Sequence, residues 1–148
     1  MQTIYGVRID DISNALLKQT VAQWLNGEGA HAIFTPNPEF ILCARKNEHF
    51  RNLVNKSSLS LPDGIGLKFA VAALSDIPLQ YRQTGIDTLV MIASTCENKH
   101  RQLLLLGSQD HVAYEAAQSL RRRFPELRVT AIDPGYLGGD HNDFSLPK

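Results

Sequence analysis

Apolar positions change their spacing repeatedly along the chain, and each change marks a new element. Residues 3–9 set Ile4, Val7 and Ile9 against Arg8 and predict a first strand. Ile12, Leu16, Leu17, Val21, Trp24 and Leu25 then recur at helical spacing, with Asp10, Asp11 and Ser13 as cap candidates ahead of them. After Gly27 and Gly29, residues 30–34 form a short second strand that ends at Thr35-Pro36-Asn37-Pro38. Asn37 is a good N-cap, and Pro38 suits the first helical position, where a missing N–H costs nothing. Phe40, Ile41, Ala44 and Phe50 continue that helix or a second one.

The most informative stretch follows. Residues 59–61 predict a third strand, broken by Pro62-Asp63-Gly64, and Leu67, Ala70, Val71 and Leu74 return at helical spacing. Residues 75–83 make a loop, and Ile86, Leu89, Val90, Ile92 and Ala93 predict a helix ending near Asn98. Residues 102–106 are almost wholly apolar, as in a strand covered on both faces. Gly107 opens a turn, Val112, Ala113, Ala116, Ala117, Leu120 and Phe124 form a helical stripe, and Pro125 ends it. Residues 128–132 are a further strand, and residues 138–148 are polar without periodicity. Strands alternating with helices imply an α/β fold, a mostly parallel sheet with helices on both faces. Thr35, Asp63 and Gly107 then share the carboxyl edge of that sheet, where open α/β sheets bind ligands.

Composition narrows the function classes. The length of 148 residues suits one domain, and 43% hydrophobic with 20% charged residues is ordinary for a globular protein. Fifteen basic and fifteen acidic side chains cancel, so no strong general attraction to nucleic acid is expected. Cys43 and Cys96 fall in helical patterns and are expected to be reduced core thiols. The N-terminus has no basic segment followed by an apolar one, so no signal peptide is expected, and no apolar run spans a bilayer. The five histidines lack metal-ligand spacing, and no cofactor motif is present. Arg121-Arg122-Arg123 closes a helix, where cations favour the dipole.

Thr35-Pro36-Asn37-Pro38-Glu39-Phe40, Leu61-Pro62-Asp63-Gly64-Ile65-Gly66, the segment from Arg82 through Thr84-Gly85-Ile86-Asp87 to Leu89, residues 103–124 and Pro134-Gly135-Tyr136 occur in one order. That order resembles the bacterial WecG/TagA/CpsF glycosyltransferases over nearly the whole chain. The resemblance implies a Rossmann-like fold and a single glycosyltransferase domain over residues 1–148 that lacks the family's C-terminal part. It implies inverting, metal-independent transfer of N-acetylmannosamine or a related hexose from a UDP-sugar. The acceptor implied is an undecaprenyl-diphosphate-linked N-acetylglucosamine, at the cytoplasmic face of the membrane, in teichoic acid or polysaccharide synthesis. Carried over by position, Asp63 matches the catalytic base, and Thr35, Asn37 and Arg82 match polar groups of the pocket. Gly64, Gly107 and Tyr136 fall on the substrate side of the same motifs. Tyr81 stands where the family has an acidic residue, Gln83 where it has an apolar one, and Ser108 where it has glycine. A Gly-x-Pro-Lys-Gln-Glu-like segment and a basic C-terminal appendage are not in this sequence.

Local roles compete with each of these assignments. Asp63 also suits an N-cap, Thr35 and Asn37 also suit caps, and Arg82 also suits pairing with Asp76 or Asp87. A sheet that stops early leaves an apolar edge or face, so self-association is expected. The alternative function is a non-catalytic sugar-nucleotide or assembly module.

Overall fold

The first strand is a hairpin. A computed structural model describes residues 2–74, 78–107 and 111–132, and it places β1 (Gln2–Ile4) antiparallel to β2 (Val7–Ile9) with Ile4 opposite Val7. Ile4 and Val7 are three apart, so in one continuous strand they would face opposite sides. Tyr5 and Gly6 form the turn with φ of 46° and 78°, the left-handed pair that a two-residue hairpin favours. The turn brings Ile4, Val7 and Ile9 into one buried cluster.

The chain divides into two units, Met1–Met91 and Ile92–Lys148. In the first unit, α1 (Asn14–Trp24) starts at Ser13, whose hydroxyl accepts from the Leu16 N–H at 3.2 Å. Ser13 is thus the cap among the candidates, and Asp10 and Asp11 are spent elsewhere. The short strand β3 (Ile33–Phe34) lies parallel to β4 (Leu59–Ser60), as expected from the helices between them. Those helices are α2 (Pro38–Lys46) and α3 (Glu48–Asn55), each capped by an asparagine side chain. Asp10 stitches β2 to β4: its N–H donates to the Ser60 carbonyl at 2.7 Å, and its carboxylate accepts from the Ser60 N–H at 2.9 Å. Helix α4 (Ile65–Leu74) buries Leu67 and Val71 against Ile4, Val7, Ile9, Ile41, Ala44, Val54 and Leu79. Burying each Val, Leu or Ile of this cluster contributes about 1.5–3 kcal/mol before entropy is counted.

Cys43 is exposed, contrary to the expected core thiol, because α2 turns Ile41 and Ala44 inward instead. Cys96 is buried, and burial pushes its thiol pKa above the ordinary 9.0.

Helix α5 (Gly85–Asn98) leads into the second unit. There β5 (Gln102–Leu106) and β6 (Arg128–Ile132) form a five-residue parallel ladder, linked through α6 (Val112–Arg123). Helix α6 buries Ala113, Ala117 and Leu120, and its cap residue Phe124 donates its N–H to Leu120 before Pro125 stops the turn. Leu104 and Leu106 are 54% and 57% exposed, so the expected cover on both faces of β5 is not found among the described residues. Burial alternates along the strand, Leu103 and Leu105 being the partly covered positions, on the same face as buried Val129. The parallel α/β character holds, but the described strands pair two by two in three short ladders.

Candidate active site

Hydrogen bonds between the two strand-to-helix junctions continue past the ends of β3 and β4. The Leu61 N–H donates to Phe34 at 2.8 Å, and the Asp63 N–H donates to Pro36 at 3.0 Å. These bonds lock Thr35-Pro36 beside Pro62-Asp63 at the carboxyl ends of a parallel pair. Gly64 follows with φ of +82°, a conformation that glycine adopts without strain, so the chain turns sharply from Asp63 into α4. Nothing lies within 4 Å of where a Gly64 side chain would begin, so backbone conformation rather than crowding explains this glycine.

The third wall comes from the start of α5. The Gly85 N–H donates to Asp63 Oδ2 at 3.4 Å. A methyl group placed on Gly85 would stand 3.3 Å from Thr35 Oγ1 and 3.9 Å from Asp63 Oδ2. Thr35, Asp63 and Gly85 therefore converge on one small region, and all three are half-buried. The carboxylate of Asp63 bonds to α5 rather than capping α4, which was its competing local role. The first N–H groups of a helix carry partial positive charge, so this end of α5 suits an anionic group.

Asn37 does fill its local role. Its Oδ1 accepts from the Phe40 N–H at 3.0 Å as the N-cap of α2, leaving the Nδ2 amide as a donor. Arg82 is exposed and makes no hydrogen bond or ion pair with another described residue. Asp87, one of the two carboxylates that Arg82 was weighed against, is engaged by Thr84. The Thr84 hydroxyl donates to Asp87 Oδ2 at 2.6 Å and accepts from the Asp87 N–H at 3.1 Å. That reciprocal arrangement caps α5. Asp76 and Tyr136 lie outside the described residues.

The backbone on either side of Arg82 is tied down. The Asp11 carboxylate accepts from the Gln80 N–H and the Tyr81 N–H, each at 2.8 Å. On the other side, the Gln83 N–H donates to Pro62 at 3.3 Å, and its Nε2 donates to the Ile12 carbonyl at 2.6 Å. Gln83 also lines a cavity of about 370 Å³ together with Asn14, Lys18, Thr88 and Met91.

Gly107 follows β5 in the second unit, and packing accounts for it. A side chain there would begin 2.6 Å from the Cβ of Ala113, the second residue of α6. Asp11 and Gly85 are what the sequence reading missed as parts of the site. For Asp11 the signal was an excess of caps, since one helix start cannot use Asp10, Asp11 and Ser13 together. For Gly85 it was the glycine inside an otherwise good helix start, which marks a close approach. Among the described residues, no three His, Cys, Asp or Glu side chains are grouped to hold a metal ion, and no helix is long and apolar enough to cross a membrane.

With this geometry in view, comparisons with known proteins add an independent line. The chain is 26% identical over 129 residues to the N-acetylglucosaminyldiphosphoundecaprenol N-acetyl-beta-D-mannosaminyltransferase of Bacillus spizizenii, covering 87% of this chain and 50% of that protein. It is 26% identical over 136 residues to the protein of the same name in Staphylococcus aureus strain NCTC 8325, covering 90% of this chain and 53% of that protein. The chain thus spans about half the length of the curated relatives it matches. The model of the glycosyl transferase WecG/TagA/CpsF family matches residues 2–146, and the chain belongs to that family.

Proposed function

We propose that the Thr35–Asp63–Gly85 region is the reaction centre of an inverting glycosyltransferase. The donor is a UDP-sugar, UDP-N-acetylmannosamine or a related hexose derivative. The acceptor is a polyprenyl-diphosphate-linked N-acetylglucosamine at the membrane surface, the acceptor class in the relatives' name. The product enters teichoic acid or a related surface polysaccharide.

Each residue has a chemical task in this reading. Inverting transfer needs one base to take the proton of the acceptor hydroxyl as its oxygen attacks the anomeric carbon. Asp63 supplies that carboxylate, held by the Gly85 N–H at a junction between strand and helix. The bond from the anomeric carbon to the donor's phosphate oxygen breaks, and negative charge grows on the departing diphosphate. The guanidinium of Arg82, not engaged by another described residue, matches that diphosphate with paired donors. Thr35 Oγ1 and the Nδ2 amide of Asn37 hold sugar hydroxyls.

The observation that carries the reading is the approach of Thr35 and Asp63 to the same glycine across long sequence separations. Polar side chains from two separate strand-to-helix junctions meet there. The test is transfer from UDP-N-acetylmannosamine to a short-chain polyprenyl-diphosphate N-acetylglucosamine by a chain of the relatives' full length. Asp63→Asn should keep its melting profile and lose turnover by about 10²–10⁴-fold, the scale of general-base catalysis. Near-normal turnover by that variant removes Asp63 from the chemistry. Binding of the UDP-sugar by the 148-residue chain without turnover supports the non-catalytic module instead.

A further inference from the structure

We propose that Asp11 is a positioning residue for Arg82, acting through the backbone of the loop that carries it. The inference rests on the assignment of Arg82 to the donor diphosphate.

Asp11 is half-buried, and both of its carboxylate oxygens are committed to that loop. Oδ2 accepts from the Gln80 N–H and Oδ1 from the Tyr81 N–H, each at 2.8 Å and across about seventy residues of sequence. Two short bonds from one carboxylate to consecutive N–H groups set both the position and the direction of a peptide segment. The Lys68 ammonium, on α4, donates to the Gln80 carbonyl at 3.4 Å from a second element. Leu79 just ahead is 3% exposed and belongs to the core cluster. Beyond Arg82, Gln83 is fastened to Pro62 and Ile12, and Gly85 to Asp63. No other described residue engages the head of Arg82, and its backbone is fixed at both flanks, beside the Pro62-Asp63 junction.

That arrangement has a functional sense. A long, flexible cation loses entropy when it closes on an anion, and a fixed backbone lowers the remaining cost. Asp11 touches neither sugar nor phosphate in this scheme. Its effect reaches the ligand only through residue 82.

The test separates Asp11 from Arg82 by a double-mutant cycle. Wild type, Asp11→Ala, Asp11→Asn, Arg82→Ala and the Asp11→Ala, Arg82→Ala double variant are titrated with UDP by calorimetry. Amide hydrogen exchange at Gln80 and Tyr81 is followed in each. Asp11→Ala should weaken UDP binding about tenfold, the scale of one or two lost charge-assisted hydrogen bonds. It should have no further effect once Arg82 is alanine. Asp11→Asn keeps one acceptor oxygen and should fall between. Exchange at Gln80 and Tyr81 should accelerate in Asp11→Ala while melting stays cooperative. Equal losses from Asp11→Ala with and without Arg82 overturn the positioning role, because the effect then bypasses residue 82. Unchanged exchange at Gln80 and Tyr81 overturns it as well. If UDP binds wild type and Arg82→Ala equally, the diphosphate assignment itself fails. Exchange and the backbone order of residue 82 then decide whether Asp11 still fixes the loop.

Discussion

The main-chain N–H of Gly85 meets the carboxylate of Asp63 at 3.4 Å, across 22 positions of sequence. One glycine therefore serves as the first residue of α5, as the donor to the candidate base and as the space beside Thr35. Gly85→Ala tests these duties together. Its φ is not in the left-handed region, and alanine favours helices by roughly 0.5–1 kcal/mol, so global stability should change by no more than about 1 kcal/mol. The added methyl group would crowd Thr35 Oγ1 at 3.3 Å. Transfer activity should fall while the denaturation midpoint holds, and steady-state kinetics beside urea melts checks it.

Gly107→Ala should behave in the opposite way. Its new Cβ would lie 2.6 Å from Ala113 Cβ, closer than packed atoms allow, and α6 must shift to admit it. Overpacking of this kind costs about 1–3 kcal/mol. Urea unfolding should show that loss, larger than the change at Gly85. A Gly107→Ala variant with wild-type stability would contradict the packing role.

Asn37 separates capping from chemistry by two substitutions. Asn37→Ala removes the acceptor for the Phe40 N–H and should cost about 1 kcal/mol of stability. Asn37→Asp keeps an acceptor at the cap and adds a charge that the start of α2 favours. It removes the Nδ2 donors offered to the sugar. Stability near wild type with weakened sugar-nucleotide binding is the expected pair of results, read by thermal melts and calorimetry.

The two cysteines should differ in reactivity and in their effect on alkaline stability. Cys43 is exposed and Cys96 buried, so a chromogenic disulfide reagent should label Cys43 first and Cys96 only slowly. Burial raises the Cys96 pKa, so the folded chain keeps the thiol proton at pH values where the unfolded chain has lost it. The unfolded state then binds fewer protons, and stability falls as pH rises above about 9. Chemical denaturation across that range should show a decline that is shallower in Cys96→Ala.

Much of the architecture was written locally. Asn37 followed by Pro38 specified a helix start, and the structure places α2 there with Asn37 as its cap. Pro62-Asp63-Gly64 specified a break between strand and helix, and the positive φ of Gly64 supplies it. Where local pattern misled, the competing effect lay elsewhere in the chain. Residues 3–9 looked like one strand until the odd spacing of Ile4 and Val7 was resolved by a turn at Tyr5-Gly6. Leu104 and Leu106 looked like core from composition, yet the face they occupy on β5 is exposed among the described residues.

Sequence alone established the family motifs, the order of elements and the junctions carrying Thr35 and Asp63, because caps, turns and periodicity act within a few residues. It offered Asp10, Asp11 and Ser13 as interchangeable caps. Folding distributed them, Ser13 to α1, Asp10 to β4 and Asp11 to the Arg82 loop. Only the tertiary structure brought Gly85 against Asp63 and Thr35. Contacts of that range form when the core of Ile9, Leu67 and Leu79 closes, and no short window of sequence encodes which side chains that closure makes neighbours.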